Sequence, residues 1–217
     1  MIVAIDGPAG AGKTTISKQV ANALGFIRLD TGALYRAVGL AALNAGKTPH
    51  DHDLQGFVEG LDIAFSLGGI ELNGAEVGHL IRTNEVSRAA SAYSAHGGVR
   101  AGLLALQRNI GDRQSAVVDG RDIGTVVFPN AEIKVFLTAS VAERARRRWS
   151  ELQASGTAVD LAEIRSEIAA RDKADTERAI APLRQADDAT LIDSTSMDID
   201  QVVTHILGLV EAKSSNP

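Results

Sequence analysis

The stretch GPAGAGKT, residues 7–14, sets Gly7, Gly10 and Gly12 ahead of Lys13 and Thr14, and a second hydroxyl, Thr15, follows. A turn so poor in side chains lets successive backbone N–H groups converge on one point, where they can cradle an anion. The apolar run IVAID enters it and the stripe Ile16, Val20, Leu24 leaves it. A strand and a helix are therefore expected on either side, with the helix aiming its partly positive N-terminus at the same anion. All of residues 7–14 fit GxxxxGK[ST], the pattern in which Lys reaches the β and γ phosphates of a nucleotide and the hydroxyl ligates Mg²⁺. The candidate nucleotide-binding residues are Gly7, Pro8, Ala9, Gly10, Ala11, Gly12, Lys13, Thr14 and Thr15, with Thr14 as metal ligand.

A triphosphate site does not say what is done with the triphosphate. No NKxD motif for reading guanine occurs, which argues against a GTP switch, and no motor or transporter signature is present. The arginines are more informative. Of 22 basic residues 16 are Arg and 6 are Lys, and the planar guanidinium grips phosphate or carboxylate in a bidentate way. In ERARRRW, Arg144, Arg147 and Arg148 are spaced to share one helical face, and in RDKADTERAIAPL so are Arg171, Asp175 and Arg178, with Pro182 beyond the expected helix end. Either set could be a solvated face. Flanking a mobile connection expected at Ser155 to Thr157 in a chain that binds triphosphate, they read better as a lid closing over phosphates. Arg144 and Arg148 are assigned to ATP. A third cluster, VVDGRDIGTVV, ends an apolar strand in Asp119 and projects Arg121 and Asp122 from the following loop, where ligands bind in doubly wound sheets.

The elements that must position these residues alternate short apolar runs with amphipathic segments, the pattern of a parallel sheet covered by helices. Strands are expected at Ile2 to Asp6, Phe26 to Leu29, Ala116 to Asp119, Ile133 to Leu137 and Ala189 to Asp193. Helices are expected at Lys13 to Leu24, Thr31 to Asn44, Glu85 to Arg108, Val141 to Gln153, Asp160 to Asp172 and Asp198 to Ala212, with a frayed tail from Lys213 to Pro217. The run LDIAFSLGGIELNGAEV breaks the pattern: Gly68-Gly69 and Asn73-Gly74 separate short alternating runs, so a small antiparallel sheet is expected inside the α/β core. The organisation expected is a core of residues 1–52, 93–140 and 186–217, an acceptor-binding insert at about 53–92 and a lid at about 141–185.

Composition bounds the alternatives. With 217 residues, 45% hydrophobic and 23% charged, one globular unit is expected. A net charge of -5 argues against general nucleic-acid binding. The absence of cysteine excludes disulfides and suits a cytoplasmic location. No apolar run is long enough to span a membrane, the five histidines lack metal-ligand spacing, and a monomer is expected.

GPAGAGKT, DTGALYR, IRTNEV, DGRDIGTVVFP and RDKADTERAIAPL, in this order and spacing, resemble bacterial cytidylate kinase along nearly the whole chain. The resemblance implies a five-stranded parallel sheet flanked by helices with a small antiparallel insert and a helical lid. It also implies transfer of the γ-phosphoryl group of ATP to CMP or dCMP with Mg²⁺. Carried over by position, Thr31, Tyr35 and Arg36 line the acceptor site, and Arg36, Arg121 and Arg178 surround its phosphate. Ser91, Arg100 and Asp122 read cytosine, Arg171 and Asp175 hold the sugar, and Lys13, Arg121 and Arg178 are catalytic. The alternatives are a kinase for another small acceptor, such as UMP or AMP, and a regulatory module that binds ATP without transferring phosphate. Cytosine's N4 amine donates hydrogen bonds and a carboxylate such as Asp122 only accepts them, whereas uracil presents an oxygen there.

Overall fold

All five residues of the IVAID strand, β1 (Ile2–Asp6), are buried, as a strand covered by helices on both faces of a parallel sheet must be. The computed structural model describes residues 1–66, 69–154 and 156–215. Gly68 of the expected turn, Ser155 of the expected mobile connection, and Asn216 and Pro217 of the tail lie outside the described residues. The remaining strands of the sheet are β2 (Ile27–Asp30), β6 (Ala116–Gly120), β7 (Ile133–Thr138) and β8 (Thr190–Asp193), in the order β2-β6-β1-β7-β8. β1 runs parallel to both neighbours, and its last residue, Asp6, stands level with Gly120 of β6 and Phe136 of β7. The chain diverges at this central strand, so its carboxyl end opens onto the crevice where doubly wound sheets bind ligands.

By its contacts the chain divides into two units, Met1–Leu29 with Gln114–Pro217, and Asp30–Arg113. In the first, α1 (Lys13–Leu24) and α8 (Ile199–Ser215) cover the sheet: Ile16 and Val20 join Val202, Ile206 and Val210 on Val3, Ile5, Val135 and Leu137. α6 (Val141–Ala154) and α7 (Leu161–Glu177) build a smaller core of their own from Ala145, Ile164 and Ile168.

The second unit holds α2 (Thr31–Asn44), α3 (Leu54–Glu59), a three-stranded sheet, α4 (Asn84–Ser94) and α5 (Gly97–Arg113). The sheet is antiparallel, β3 (Ile63–Ser66), β4 (Gly69–Leu72) and β5 (Ala75–Glu76). Its β4–β5 hairpin turns at Asn73 and Gly74 with φ of 52° and 78°, the left-handed pair that Asn-Gly supplies most easily. The single helix expected from Glu85 to Arg108 is two. At Ala95 the backbone N–H turns back to Ala92 and Tyr93, and the adjacent Gly97 and Gly98, weak helix formers, begin a new helix instead of continuing the old one. The helix expected to stop at Asp172 runs on to Glu177.

Candidate active site

The phosphate loop is fixed by a contact that only glycine permits. Gly7 has φ of 151°, and a Cβ built on it would lie 1.9 Å from the carbonyl oxygen of Leu137, inside any allowed contact. Gly12 caps α1 in the left-handed conformation, which frees the first N–H groups of the helix to face the loop. Lys13 is buried, and its ammonium donates to the carbonyls of Gly7 and Pro8, each at 2.7 Å. Burial, with Arg121 and Arg171 nearby, pushes that ammonium well below the usual lysine range, while Asp119 and Asp6 oppose the shift. Thr14 and Thr15 are exposed at the start of α1. Behind them Ser17 donates to Asp119 at 2.6 Å, and Arg28 holds the same carboxylate through Nε at 3.1 Å and Nη2 at 3.0 Å.

Beyond β6 the chain makes a π-helical turn, Ile123–Val127. The Asp122 carbonyl accepts from the N–H of Val126 at 2.9 Å and of Val127 at 3.1 Å. Four charged residues meet beside this turn. Arg121 Nε donates to Asp175 at 2.8 Å. Arg178 Nη2 lies 3.4 Å from Asp122, and both side chains are about as buried as core residues, 6% and 5% exposed. Asp175 sits in the last turns of α7 and Arg171 one turn before it. The expectation that Arg178 shares their helical face is corrected by the structure. Helix α7 ends at Glu177, and Arg178 is extended, with ψ of 139°. The chain then folds back through Ala181, so that Leu183 N–H donates to the Asp175 carbonyl at 2.8 Å and Arg178 Nε to the Ala181 carbonyl at 2.6 Å. Leaving the helix is what turns Arg178 toward Asp122.

The single cationic face expected for Arg144, Arg147 and Arg148 is also corrected. Arg144 is 3% exposed. It donates to the carbonyls of Ala139 and Ala9, each at 2.8 Å, and to Asp172 of α7 at 2.6 Å. Arg147 bonds Glu143 and the Ser194 carbonyl, and Arg148 pairs in solvent with Glu151. The spacing is right, but each guanidinium has a different acceptor within reach, and hydrogen bonds with defined geometry win over simple clustering of like charge.

In the second unit Asp30 caps α2 by accepting from Ala33 N–H at 2.9 Å and pairs with Arg36 at 3.4 Å. Arg36 Nε is buried without a hydrogen-bond partner among the described residues, an orphan donor of the kind that an anionic ligand satisfies. Thr31 is buried at the start of α2. Arg100 of α5 is 5.6 Å from the centre of the Tyr35 ring and donates to the Ser94 carbonyl at 3.2 Å. Ser91, on α4, is half-buried. Expected residues thus gather in two groups, one in each unit.

Sequence reasoning missed Asp6, Asp30 and Asp172 as partners of functional residues. Asp6 alone left a trace, an acid closing an apolar strand directly before the phosphate loop. Its two oxygens accept from Ile123 and Gly124 N–H, each at 2.7 Å.

A family model described as cytidylate kinase matches residues 3–212. A cytidylate kinase of Thermosipho melanesiensis is 49% identical over 211 residues, 97% of this chain and 97% of that protein. One from Shouchella clausii is 49% identical over 217 residues, 98% and 96% of the two. Among solved structures, an uncharacterized protein from Eubacterium ventriosum, 12% identical, aligns over 98% of both chains with a TM-score of 0.50, a likeness of fold alone.

Proposed function

The chain belongs to the cytidylate kinase family, an ATP-dependent nucleoside monophosphate kinase that phosphorylates CMP or dCMP, and we propose how its residues share that work. Asp122 reads the acceptor's base, Arg36, Arg121 and Arg178 hold its phosphate, and Lys13 with the phosphate loop holds the donor. The observation that carries this reading is the alternating cluster Arg121–Asp175 and Arg178–Asp122 at the carboxyl end of β6, in the unit that holds the phosphate loop.

Arg178 stands 3.4 Å from Asp122, and both side chains are buried. A carboxylate in that place can only accept, which suits the N4 amine of cytosine and opposes the oxygen of uracil. No general base is required. The acceptor phosphate has a second pKa of about 6 and already carries a nucleophilic oxyanion at neutral pH. Catalysis reduces to aligning two polyanions and offsetting their repulsion. Lys13 enters this role with its proton loosened by burial and by Arg121, and negative charge arriving at the loop restores its grip on that proton. Arg171 and Asp175 are assigned to the sugar and Ser91 and Arg100 to the base, by resemblance.

Mg²⁺ fits the donor set. Thr14 offers a hydroxyl at the start of α1, and no cluster of three or more His, Cys, Asp or Glu competes for a metal among the described residues. An octahedral ion that keeps its waters and takes phosphate oxygens needs no more. Once bound, Mg²⁺ would neutralise charge on the transferring phosphate.

The test is an acceptor panel with ATP, read by ADP release, on wild type and Asp122→Ala. Wild type is expected to prefer CMP over UMP strongly, and Asp122→Ala to cut the preference at least about tenfold, from the ~1–3 kcal/mol cost of an unsatisfied buried polar group. A preference that survives Asp122→Ala intact would defeat the assignment of Asp122.

A further inference from the structure

A helix or helical turn begins with N–H groups that have no partner of their own, and Asp in the capping position ordinarily supplies its side chain to them. Asp122 holds that position for the π-helical turn, yet its side chain makes no capping bond. The two orphan donors, Ile123 N–H and Gly124 N–H, go instead to the two oxygens of Asp6, each at 2.7 Å, across a sequence separation of more than a hundred residues. Relieved of capping, the Asp122 carboxylate faces Arg178 at 3.4 Å.

We propose that Asp6 is a positioning residue for acceptor recognition: by capping the turn in place of Asp122, it keeps the Asp122 carboxylate from folding back onto the turn and so holds it where it can meet the acceptor's base. The inference rests on the reading of Asp122 given above. The arrangement is tightly built. Asp6 is 5% exposed at the end of the central strand, between Gly120 and Phe136. The packing at Gly124 is close, since a Cβ there would lie 3.1 Å from Lys134 Cδ and 3.4 Å from Asp6 Oδ2. The fold also holds this charge at a cost, as functional sites often do. Burial raises the Asp6 carboxyl to about 6, its two N–H bonds opposing the rise, with Asp122 adding to it and Lys13 reducing it. The other charged groups nearby are Asp119 at the end of β6 and Lys134 of β7, whose ammonium is drawn off to Asp188 at 2.7 Å.

Without the second oxygen of Asp6, the residue whose position suits it to cap the turn is Asp122 itself. A cap that uses Asp122 withdraws it from the base, and any effect through its partner Arg178 falls on the phosphate that both acceptors share. The experiment compares wild type, Asp6→Asn, Asp122→Ala and the double variant in the ratio of kcat/KM for CMP to that for UMP. The two acceptors carry the same phosphate, so its ionisation cancels in the ratio. Asp6→Asn is expected to lower the ratio at least about tenfold, mainly through the KM for CMP, and the double variant to fall no further than Asp122→Ala. The Tm of Asp6→Asn should equal or exceed that of wild type, because a neutral amide avoids the buried charge; a merely structural Asp6 would lower Tm and every kinetic constant together. If Asp122→Ala lowers the ratio and Asp6→Asn does not, this inference is wrong and the reading of Asp122 stands. If Asp122→Ala leaves the ratio unchanged, both fall. Wild type provides a check independent of any variant's folding. The amide protons of Ile123 and Gly124 should titrate together near pH 6, and in the same range the ratio should fall as pH is lowered; amides that do not titrate would overturn the proposal.

Discussion

Asp6 is held ionised at neutral pH in a place that disfavours its charge, and this has a thermodynamic signature. Its carboxyl is raised from 3.8 to about 6 by desolvation, so the folded chain holds the proton more tightly than the unfolded chain does. Linkage then requires stability to fall as pH rises through that interval and to stay lowered above it. At 1.36 kcal/mol per unit the full effect is about 3 kcal/mol as an upper bound. Tm measured from about pH 4 to 7 should therefore contain a downward component in wild type that Asp6→Asn removes. A pH dependence unchanged by Asp6→Asn would show that the charge carries no such cost. At this scale the sequence disclosed those residues whose spacing is itself the mechanism. Gly7 to Thr14 announce a phosphate loop because glycine, lysine and hydroxyl must fall at those offsets for the turn to work. The roles of Asp6, Asp30 and Asp172 did not declare themselves, even where Asp6 left a positional trace, because a carboxylate is defined by its partner. For Asp6 the partners are N–H groups of Ile123 and Gly124, which have no sequence identity to read.

The three arginines of α6 show how element geometry overrides pattern. Arg144 leaves solvent and ties the phosphate loop to both helices of the expected lid, through the carbonyls of Ala9 and Ala139 and the carboxylate of Asp172. Removing a partner from so buried a set would cost about 3–5 kcal/mol if it were fully enclosed, and Asp172 is 21% exposed, so about 2–3 kcal/mol is the better figure. Arg144→Lys keeps the charge but loses the fork that reaches three acceptors. It should lower Tm by several degrees, since about 1 kcal/mol corresponds to ~2–4 °C at this chain length. Arg148→Ala, which removes only a solvent pair with Glu151, should stay within about 0.5 kcal/mol. An Arg144→Lys variant with unchanged Tm and reduced turnover would mark Arg144 as a nucleotide contact and not a strut. Periodicity located α6 and α7 because amphipathic spacing survives translation into structure. It ran α4 and α5 together, since residues 85–108 keep a helical rhythm across the break at Ala95 and His96. The π-helical turn left no periodic trace because its extra residue is set by hydrogen bonds that the Asp122 carbonyl and the Asp6 carboxylate accept.

For the whole molecule, the strand positions were legible and the strand order was not. Continuous apolar runs specify burial on both faces, while the order β2-β6-β1-β7-β8 depends on crossovers that one sequence does not fix locally. The charge balance raises a sharper question: a protein of net charge -5 must take up two polyanions. Magnitudes decide it. At a separation equal to the typical radius of gyration for this length, about 17 Å, five negative charges repel a dianion by about 2 kcal/mol in unscreened water. With a Debye length of about 8 Å at physiological ionic strength, that falls to a few tenths. A phosphate 4 Å from a guanidinium near the surface gains about 4 kcal/mol per charge before desolvation, and screening acts weakly at that range. Local arginines therefore outweigh global charge under cellular conditions. Raising ionic strength from about 0.15 to 1 M, where the Debye length shrinks to about 3 Å, should weaken what attraction remains beyond contact distance and lower kcat/KM for CMP by about three- to tenfold. The same series on Arg178→Ala should be flatter, because one of the groups being screened is gone. A kcat/KM that rises with salt would mean that the diffuse negative charge dominates after all, and the arginines would then have to act by geometry alone.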